Sequence, residues 1–378
     1  MEPTELQFHV ASMRCPADTP PTELRGPYPM STIADVAVRA GVGIGTVSRV
    51  LNGSNQVRPE TRARVQQAMD ELDYQPSRAS RRTRRGHSGY VGILVHFFEG
   101  PSAYQRLRGI VTRLQPHGFE VVLFIVDSPE RARERLADLP HNQQLDGLII
   151  MSLPLRADEG QRLADARFPT VLLDTIHPAL PSVTIDDRAG GTMATEHLLD
   201  LGHERVAFVG EPHRNPFGFI ASRYREEGYK SALAASGLEP GPGYIKRGPH
   251  SRSSGRQMAT ELFTLAEPPT AIVSASDLQA IGVLEAARTL GRAVPHDVSV
   301  IGFDDIDMAS YVGLSTVRQP LELSGQLGAD LILGAISQGV HTSTYQDQLT
   351  LELVIRTTTG AAPDTTGHSR RRRAALHA

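Results

Sequence analysis

STIADVAVRAGVGIGTVSRVLNG, residues 31–53, is the stretch from which the organisation of the chain can be read. Thr32, three residues before Asp35, reads as a capping-box helix start, and Ile33, Val36, Ala37 and Ala40 form an apolar stripe at helical spacing. Gly41 ends that helix. A second short helix, Ile44 to Leu51, buries Val47, Val50 and Leu51 and turns Thr46, Ser48 and Arg49 outward. Two short helices around a glycine turn make a helix-turn-helix. Pro59 opens a third helix through Val65, Ala68, Met69 and Leu72, and Pro76 forces it to end by Gln75. The string Gly41-Val42-Gly43-Ile44-Gly45 mimics a dinucleotide-binding fingerprint, but a helix precedes it where that motif needs a strand.

Charge is uneven around this stretch. Residues 31–88 hold ten arginines against five acids, a net +5, whereas the other residues sum to −8 within a total of −3. Both nucleic-acid contact and a solvated arginine-rich linker fit that asymmetry. Residues 1–30 carry six prolines and no apolar periodicity, which predicts disorder, and Met30 is a second candidate translation start beside Met1. The single cysteine, Cys15, excludes an intramolecular disulfide, and no Cys/His array has zinc spacing, so neither metal nor cofactor is expected. No run reaches the roughly 20 apolar residues of a spanning helix, and residues 1–30 lack a signal-peptide pattern. A cytoplasmic protein is expected.

From Tyr90 onward, apolar runs alternate with amphipathic stretches. The runs are 90–95, 119–127, 146–151, 170–174, 205–210, 270–275 and 298–303, and helical patterns cover 187–201, 222–236 and 276–290. Strand-helix alternation with near-continuous apolar strands implies parallel sheets covered on both faces. Over about 270 residues two such sheets are expected, with a ligand near the carboxyl ends of the strands. HExxH, Walker A and GxSxG patterns are absent, and His197 and His203 read as helix-end or packing residues.

Thr-Ile-Ala-Asp-Val-Ala (32–37), Ala-Gly-Val (40–42), Thr-Val-Ser-Arg-Val-Leu-Asn-Gly (46–53) and Leu-Asp-Tyr-Gln-Pro (72–76) resemble the LacI/GalR bacterial transcription regulators. The resemblance continues through Asp146 to Ile150, Ala189-Gly190-Gly191, Glu196-His197-Leu198, Arg225 with Gly228-Tyr229, Asp297 to Asp305 and Thr316 to Pro320. It implies an all-α helix-turn-helix headpiece joined to a two-lobed α/β body like a periplasmic binding protein. By the same resemblance Thr32, Ile44, Gly45, Thr46, Ser48, Arg49 and Asn52 contact DNA, with Arg78, Arg81 and Arg82 joining from the hinge. Arg225, Ser276 and Asp304 line the effector cleft. Phe97 and Phe98 are candidates to stack on a sugar face from aromatic chemistry, with core packing as the alternative. Arg225 could instead be a surface ion pair, and Asp304, Asp305 and Asp307 could suggest a divalent metal.

Several positions depart from the family pattern. Glycine stands at 43 and 45, and Ser276 replaces the usual asparagine before Asp277. Thr83 occupies the place of the leucine that wedges into the minor groove, which predicts a weaker DNA kink and a larger electrostatic share from the five arginines between 78 and 85. The expected organisation is a disordered extension (1–30), a headpiece (31–76), a hinge (77–88), an effector-binding and dimerisation domain (89–360) and a disordered basic tail (361–378). Its lobes are expected at 89–201 with 321–344, and at 202–320 with 345–360. The expected function is operator binding by a homodimer on pseudo-palindromic DNA, repressing transcription under control of a small molecule, of which a carbohydrate fits best. The alternative is a binding protein or enzyme on the same two-lobed scaffold.

Overall fold

The computed structural model describes residues 31–51, 54–74, 88–96, 100–339 and 345–363. The predicted disorder of 1–30 and of the tail from 364, and all of the hinge except Ser88, lie outside them. Two compact units divide near residue 86.

The first unit is a three-helix headpiece: α1 (Ile33–Ala40), α2 (Ile44–Leu51) and α3 (Pro59–Glu71). Thr32 Oγ1 accepts the Asp35 N–H at 3.3 Å and Asp35 Oδ2 accepts the Thr32 N–H at 2.7 Å, which is the capping box expected from the sequence. The Thr32 hydroxyl, which also donates to Asp35 Oδ2 at 2.7 Å, and then the Thr32 N–H hold the Asp35 carboxyl below its usual range. Gly41 closes α1 at φ 64, a left-handed conformation that glycine adopts without strain. Val36, Ala37, Val47, Val50, Val65 and Met69 meet in one small core.

The second unit has two six-stranded sheets. The first contains β1 (Tyr90–His96), β2 (Glu120–Val126), β3 (Gly147–Met151), β4 (Thr170–Leu173), β5 (Ser182–Ile185) and β11 (Gln346–Leu349), in the order β11-β5-β4-β3-β1-β2. Helices α4 (Pro101–Leu114), α5 (Pro129–Asp138), α6 (Ala157–Ala164) and α12 (Leu321–Gln338) accompany it. The second contains β6 (Val206–Gly210), β7 (Ile245–Arg247), β8 (Ala271–Ser274), β9 (Ser299–Asp304), β10 (Ser315–Arg318) and β12 (Glu352–Val354), in the order β12-β10-β9-β8-β6-β7. Its helices are α7 (Asp187–Asp200), α8 (Ala221–Ala235), α9 (Arg252–Phe263), α10 (Asp277–Thr289) and α11 (Asp307–Tyr311). Pairing is parallel except between β10 and β12. Strands such as β3 are buried along their whole length, which is why they read as unbroken apolar runs.

The lobe boundaries differ from expectation. Helix α7 buries Ala194 and Leu198 against Val206, Phe208 and Tyr229, so it belongs to the second lobe and the first crossover falls at residue 186. Strand β11 pairs with β5, which assigns 346–349 to the first lobe. The first lobe is therefore 88–185 with 321–349, and the second 187–318 with 352–360.

Three helix pairs approach through facing glycines. A Cβ on Gly109 would meet Glu322 O at 2.1 Å and one on Gly325 would meet Arg106 O at 2.1 Å, so α4 and α12 touch backbone to backbone. Gly191 and Gly228 join α7 to α8 in the same way, against Arg225 O and Arg188 O. Gly255 and Gly282 do so for α9 and α10.

Candidate functional site

On the headpiece, the helix α2 presents Ile44, Gly45 and Arg49 to solvent, with Thr46 and Ser48 half-buried beside them. Ile44 is 53% exposed, unusual for an isoleucine beside a well-formed core, and suits contact with a thymine methyl. Thr32 is exposed, with its hydroxyl engaged by the capping box. Of the expected DNA contacts, Asn52, Arg78, Arg81 and Arg82 lie outside the described residues, as do Thr83 and the effector candidates Phe97 and Phe98.

Between the lobes of the second unit the buried charges converge. Arg225 on α8 is 7% exposed, and it donates from Nε to Asp187 Oδ1 at 2.8 Å and from Nη1 to Ala275 O at 2.6 Å. Its guanidinium lies over the Phe303 ring at 3.6 Å and Nη1 stands 3.6 Å from Asp304 Oδ1. A surface ion pair is therefore excluded for Arg225. Burial pushes the Asp187 and Asp304 carboxyls upward, against the pull of Arg225. Burial also opposes the charge on Arg225, but Asp187, Asp304 and Asp174 outweigh it and raise its pKa. Asp277 is fully buried, accepts from Thr316 Oγ1 at 2.6 Å and Ile306 N at 2.9 Å, and is raised well above the carboxylate range by burial and then by Asp304.

Ser276 serves the fold differently from expectation. At 1% exposure it is the N-cap of α10, its Oγ accepting the Gln279 N–H at 3.3 Å. The hydroxyl oxygen thus caps the helix start, a role the sequence reading did not assign to it. Asp305 pairs with Arg318 and Arg356, each at 2.7 Å, while Asp307 accepts from Gln105 Nε2 at 2.7 Å. The three aspartates thus face separate partners, and no group of three metal-type ligands occurs among the described residues.

Backbone strain marks the same region. Ser152, Asp174, Asp304 and Asp305 adopt φ values of 54, 60, 120 and 57°, all at or just beyond strand carboxyl ends. Non-glycine residues persist there only when surrounding structure holds them, which is common at ligand sites.

A loop from the second lobe completes the cleft. After β6, residues 211–220 carry Phe217 into the apolar cluster of Leu94, Val126 and Leu153 in the first lobe. His96 lies 3.7 Å from the Phe217 ring centroid and 4.7 Å from that of Phe219, and burial pushes its pKa down to about 4. Asn215 clamps the turn through two bonds to the Phe219 backbone, 2.8 and 2.9 Å. Glu211 meets His250 Nδ1 at 3.0 Å, and His213 meets Glu226 at 2.8 Å. Burial opposes ionisation of Glu226, but Arg247, Lys230 and His213 bring its pKa down to about 2.

Sequence reasoning missed Asp174, Asp187, Glu211, His250 and Gln319. Asp174 and Glu211 follow apolar strand runs directly, and the rule that ligands bind at strand carboxyl ends could have found them. His197 and His203 do act as packing residues: His197 Nε2 lies 2.9 Å from Thr359 Oγ1, and His203 bridges Thr270, Ser299 and Gly360, each at 3.0 Å.

The chain matches the family described as bacterial regulatory proteins, lacI family, over residues 32–77, and a periplasmic binding protein-like domain over 195–359. It is 32% identical over 337 residues to the HTH-type transcriptional repressor CytR of Escherichia coli (strain K12), covering 88% of this chain and 97% of that protein. The HTH-type transcriptional regulator CelR of Thermobifida fusca is 34% identical over 336 residues, 86% and 97% of the two chains. Among solved structures, the lac repressor dimer bound to operator and the anti-inducer ONPF superposes with a TM-score of 0.74 at 29% identity, covering 88% of this chain and 100% of that one. A CelR-cellobiose complex gives 0.63 at 32%, covering 87% and 99%.

Proposed function

This chain belongs to the lacI family of bacterial regulatory proteins, and on that premise we propose that it is a sugar-responsive operator-binding repressor. It is a transcriptional regulator and not an enzyme. The observation that carries the reading is the buried Arg225 and Asp304 pair at the strand carboxyl ends of the second lobe, in a chain that also carries an open recognition helix. An arginine fork and a carboxylate together match vicinal hydroxyls as donors and acceptors.

Arg49 is assigned to a base edge, with guanine its best match, and Ile44, Gly45, Thr46 and Ser48 to the remainder of the major-groove contact. Thr32 and Asn52 flank it at the backbone, and Arg78, Arg81 and Arg82 act from the hinge on phosphates or a narrow minor groove. The chain works as a two-fold dimer, because paired recognition helices need a pseudo-palindromic site. Exposed Tyr104, Met308, Tyr311 and Leu323 offer apolar surface for pairing. No helix among the described residues is long and apolar enough to cross a membrane, and we assign the chain to the cytoplasm. A sugar in the cleft, taken by Arg225 and Asp304 with an aromatic wall at Phe219, changes the lobe arrangement, so sugar and operator affinities are linked reciprocally.

Selection of duplexes from a random library by the full chain tests this reading. Enrichment of a two-fold symmetric site, with an affinity altered by at least one of cellobiose, ribose or related sugars, is expected. No enrichment would refute operator binding, and a duplex affinity indifferent to every sugar would refute the effector class.

A further inference from the structure

The buried polar side chains of the second unit form a line from one lobe to the other. Ser152 Oγ donates to Asp174 Oδ2 at 2.8 Å, and Asp174 Oδ1 lies 3.3 Å from Arg106 Nη2. The same Nη2 donates to Gln319 Oε1 at 2.8 Å, and Gln319 Nε2 donates to Asp304 Oδ1 at 2.5 Å. Arg225 and Asp187 continue the line from there. Ser152, Asp174 and Arg106 belong to the first lobe, Asp304, Arg225 and Asp187 to the second, and Gln319 begins the crossover between β10 and α12.

Arg106 is the cation of the line that the effector contacts above do not use. At 5% exposure its guanidinium is costly to bury unless partners offset the lost hydration, and an apolar side chain would fill the site without that penalty. Its placement is rigid, because the Arg106 carbonyl lies flush against Gly325 across the α4–α12 contact. Arg225 is set in the same way against Gly191. Three other members, Ser152, Asp174 and Asp304, sit on left-handed backbone. The line is thus built at fixed points, with Gln319 as its joint.

At that joint there is freedom to move. Arg106 Nε is buried with no hydrogen-bond partner among the described residues. Beside it is a cavity of about 10 Å3 bordered by Arg106, Asp174, Thr184, Gln319 and Ser324, roughly the room of one water. A guanidinium shared between two acceptors, with a spare donor and adjacent space, can re-aim when one acceptor shifts.

We infer that Arg106 is a positioning residue that carries the position of Asp304 across the pivot, through Gln319, into the first lobe. This rests on the reading of Asp304 as an effector contact. A sugar hydroxyl drawing on the Asp304 carboxylate displaces its bond to Gln319, and the Arg106 fork follows toward or away from Asp174. The first lobe is the one whose opening strand follows residues 77–88 in the chain, the segment that leads to the headpiece.

Energy transfer between the lobes tests the line without sugar or DNA. The full chain carries Cys15→Ser, with a dye pair at Glu130→Cys on α5 and Ala235→Cys on α8, sparsely labelled in excess unlabelled protein. Arg106→Met and Gln319→Leu are each expected to shift and broaden the transfer distribution, the double variant to add nothing further, and Arg106→Lys to restore part of the parent distribution. A side chain that merely fills space would show no such rescue by lysine. On the duplex selected by the parent, Arg106→Met is expected to change affinity by roughly threefold to thirtyfold. Distributions in Arg106→Met and Gln319→Leu that superpose on the parent would overturn the inference, as would additive effects of the two. Should Arg106→Met fail to fold, Gln319→Leu alone decides, because it leaves Arg106 paired with Asp174. Failure of the duplex selection would leave the transfer result standing, so the two readings fall separately.

Discussion

The headpiece keeps its charges outside and its core apolar, whereas the body buries arginines and carboxylates at its centre. Arg39 and Glu71 pair on the headpiece surface, where solvent screens them, and Arg49 stands in the open. Arg106, Arg225, Asp277 and Asp304 are nine-tenths buried or more. The contrast separates two kinds of recognition. Operator binding draws on exposed cations that exchange counterions for phosphates and falls with salt. Sugar binding draws on pre-aimed charges in a low dielectric, where each bond is strong and each lost partner costly.

Removing the central cation is the largest test of that contrast. Arg225→Ala leaves Asp187 and Asp304 buried without their shared partner, and breaking a buried pair in this way costs about 3–5 kcal/mol. The urea midpoint of the body should fall accordingly, and any response of the selected duplex to sugar should vanish. A loss below about 1 kcal/mol would show that the cleft is wetter than its burial implies.

The corresponding change in the headpiece should act on DNA alone. Arg49→Ala removes an exposed side chain, so the melting temperature should hold. Duplex affinity should drop by about 1–3 kcal/mol with relaxed preference at one base pair. Equal loss on all sequences would reassign Arg49 to a phosphate.

Acid separates the regions more gently. His96 has its folded pKa lowered to about 4 from 6.5, because burial against Phe217 and Phe219 disfavours its cation. The unfolded chain therefore takes up this proton first, so the contribution is intact above pH 6.5 and is lost as pH falls toward 4. Urea midpoints of His96→Phe should decline less across that window than those of the parent. Parallel curves would remove His96 from the contact between the lobes.

The same contrast governs how much could be read in the sequence. The headpiece was legible almost residue by residue, since a cap, a stripe and a turn are local patterns, and the capping box of Thr32 and Asp35 is where the spacing puts it. In the body, buried runs such as 147–151 announced their strands, but β5, β7, β10, β11 and β12 did not. They are three or four residues long, Ser-Thr-Val-Arg at 315–318 is largely polar although buried, and Gln-Asp-Gln-Leu at 346–349 has no apolar pattern to detect. Missing β11 misplaced a lobe boundary. The cleft was the least legible part: Arg106 and Gln319 are 213 residues apart, and a pair that only the folded sheet order creates leaves no local signature. At Ser276 the local signal was there and went unread, since a serine before a helix is first of all a cap.

Glycine supplies the finest test. In the body, Gly191, Gly228 and Gly325 each face a backbone carbonyl at 2.1 Å from where a Cβ would stand, so any side chain there must push two helices apart. Gly45 on α2 has nothing within 4 Å of that position, and its backbone has no positive φ to require glycine. The free headpiece thus gives no reason for it, and a glycine in a helix costs up to about 1 kcal/mol relative to alanine, an upper bound in the first turn where Gly45 stands. A close approach of DNA to the backbone, on the face that carries Ile44 and Arg49, would give it a reason. Gly45→Ala should stabilise the isolated fold by up to about 1 kcal/mol while weakening binding to the selected duplex, a reversal of sign between melting temperature and affinity. If alanine improves both, the close approach of α2 to DNA at this position is wrong, and the glycine reflects neither fold nor readout.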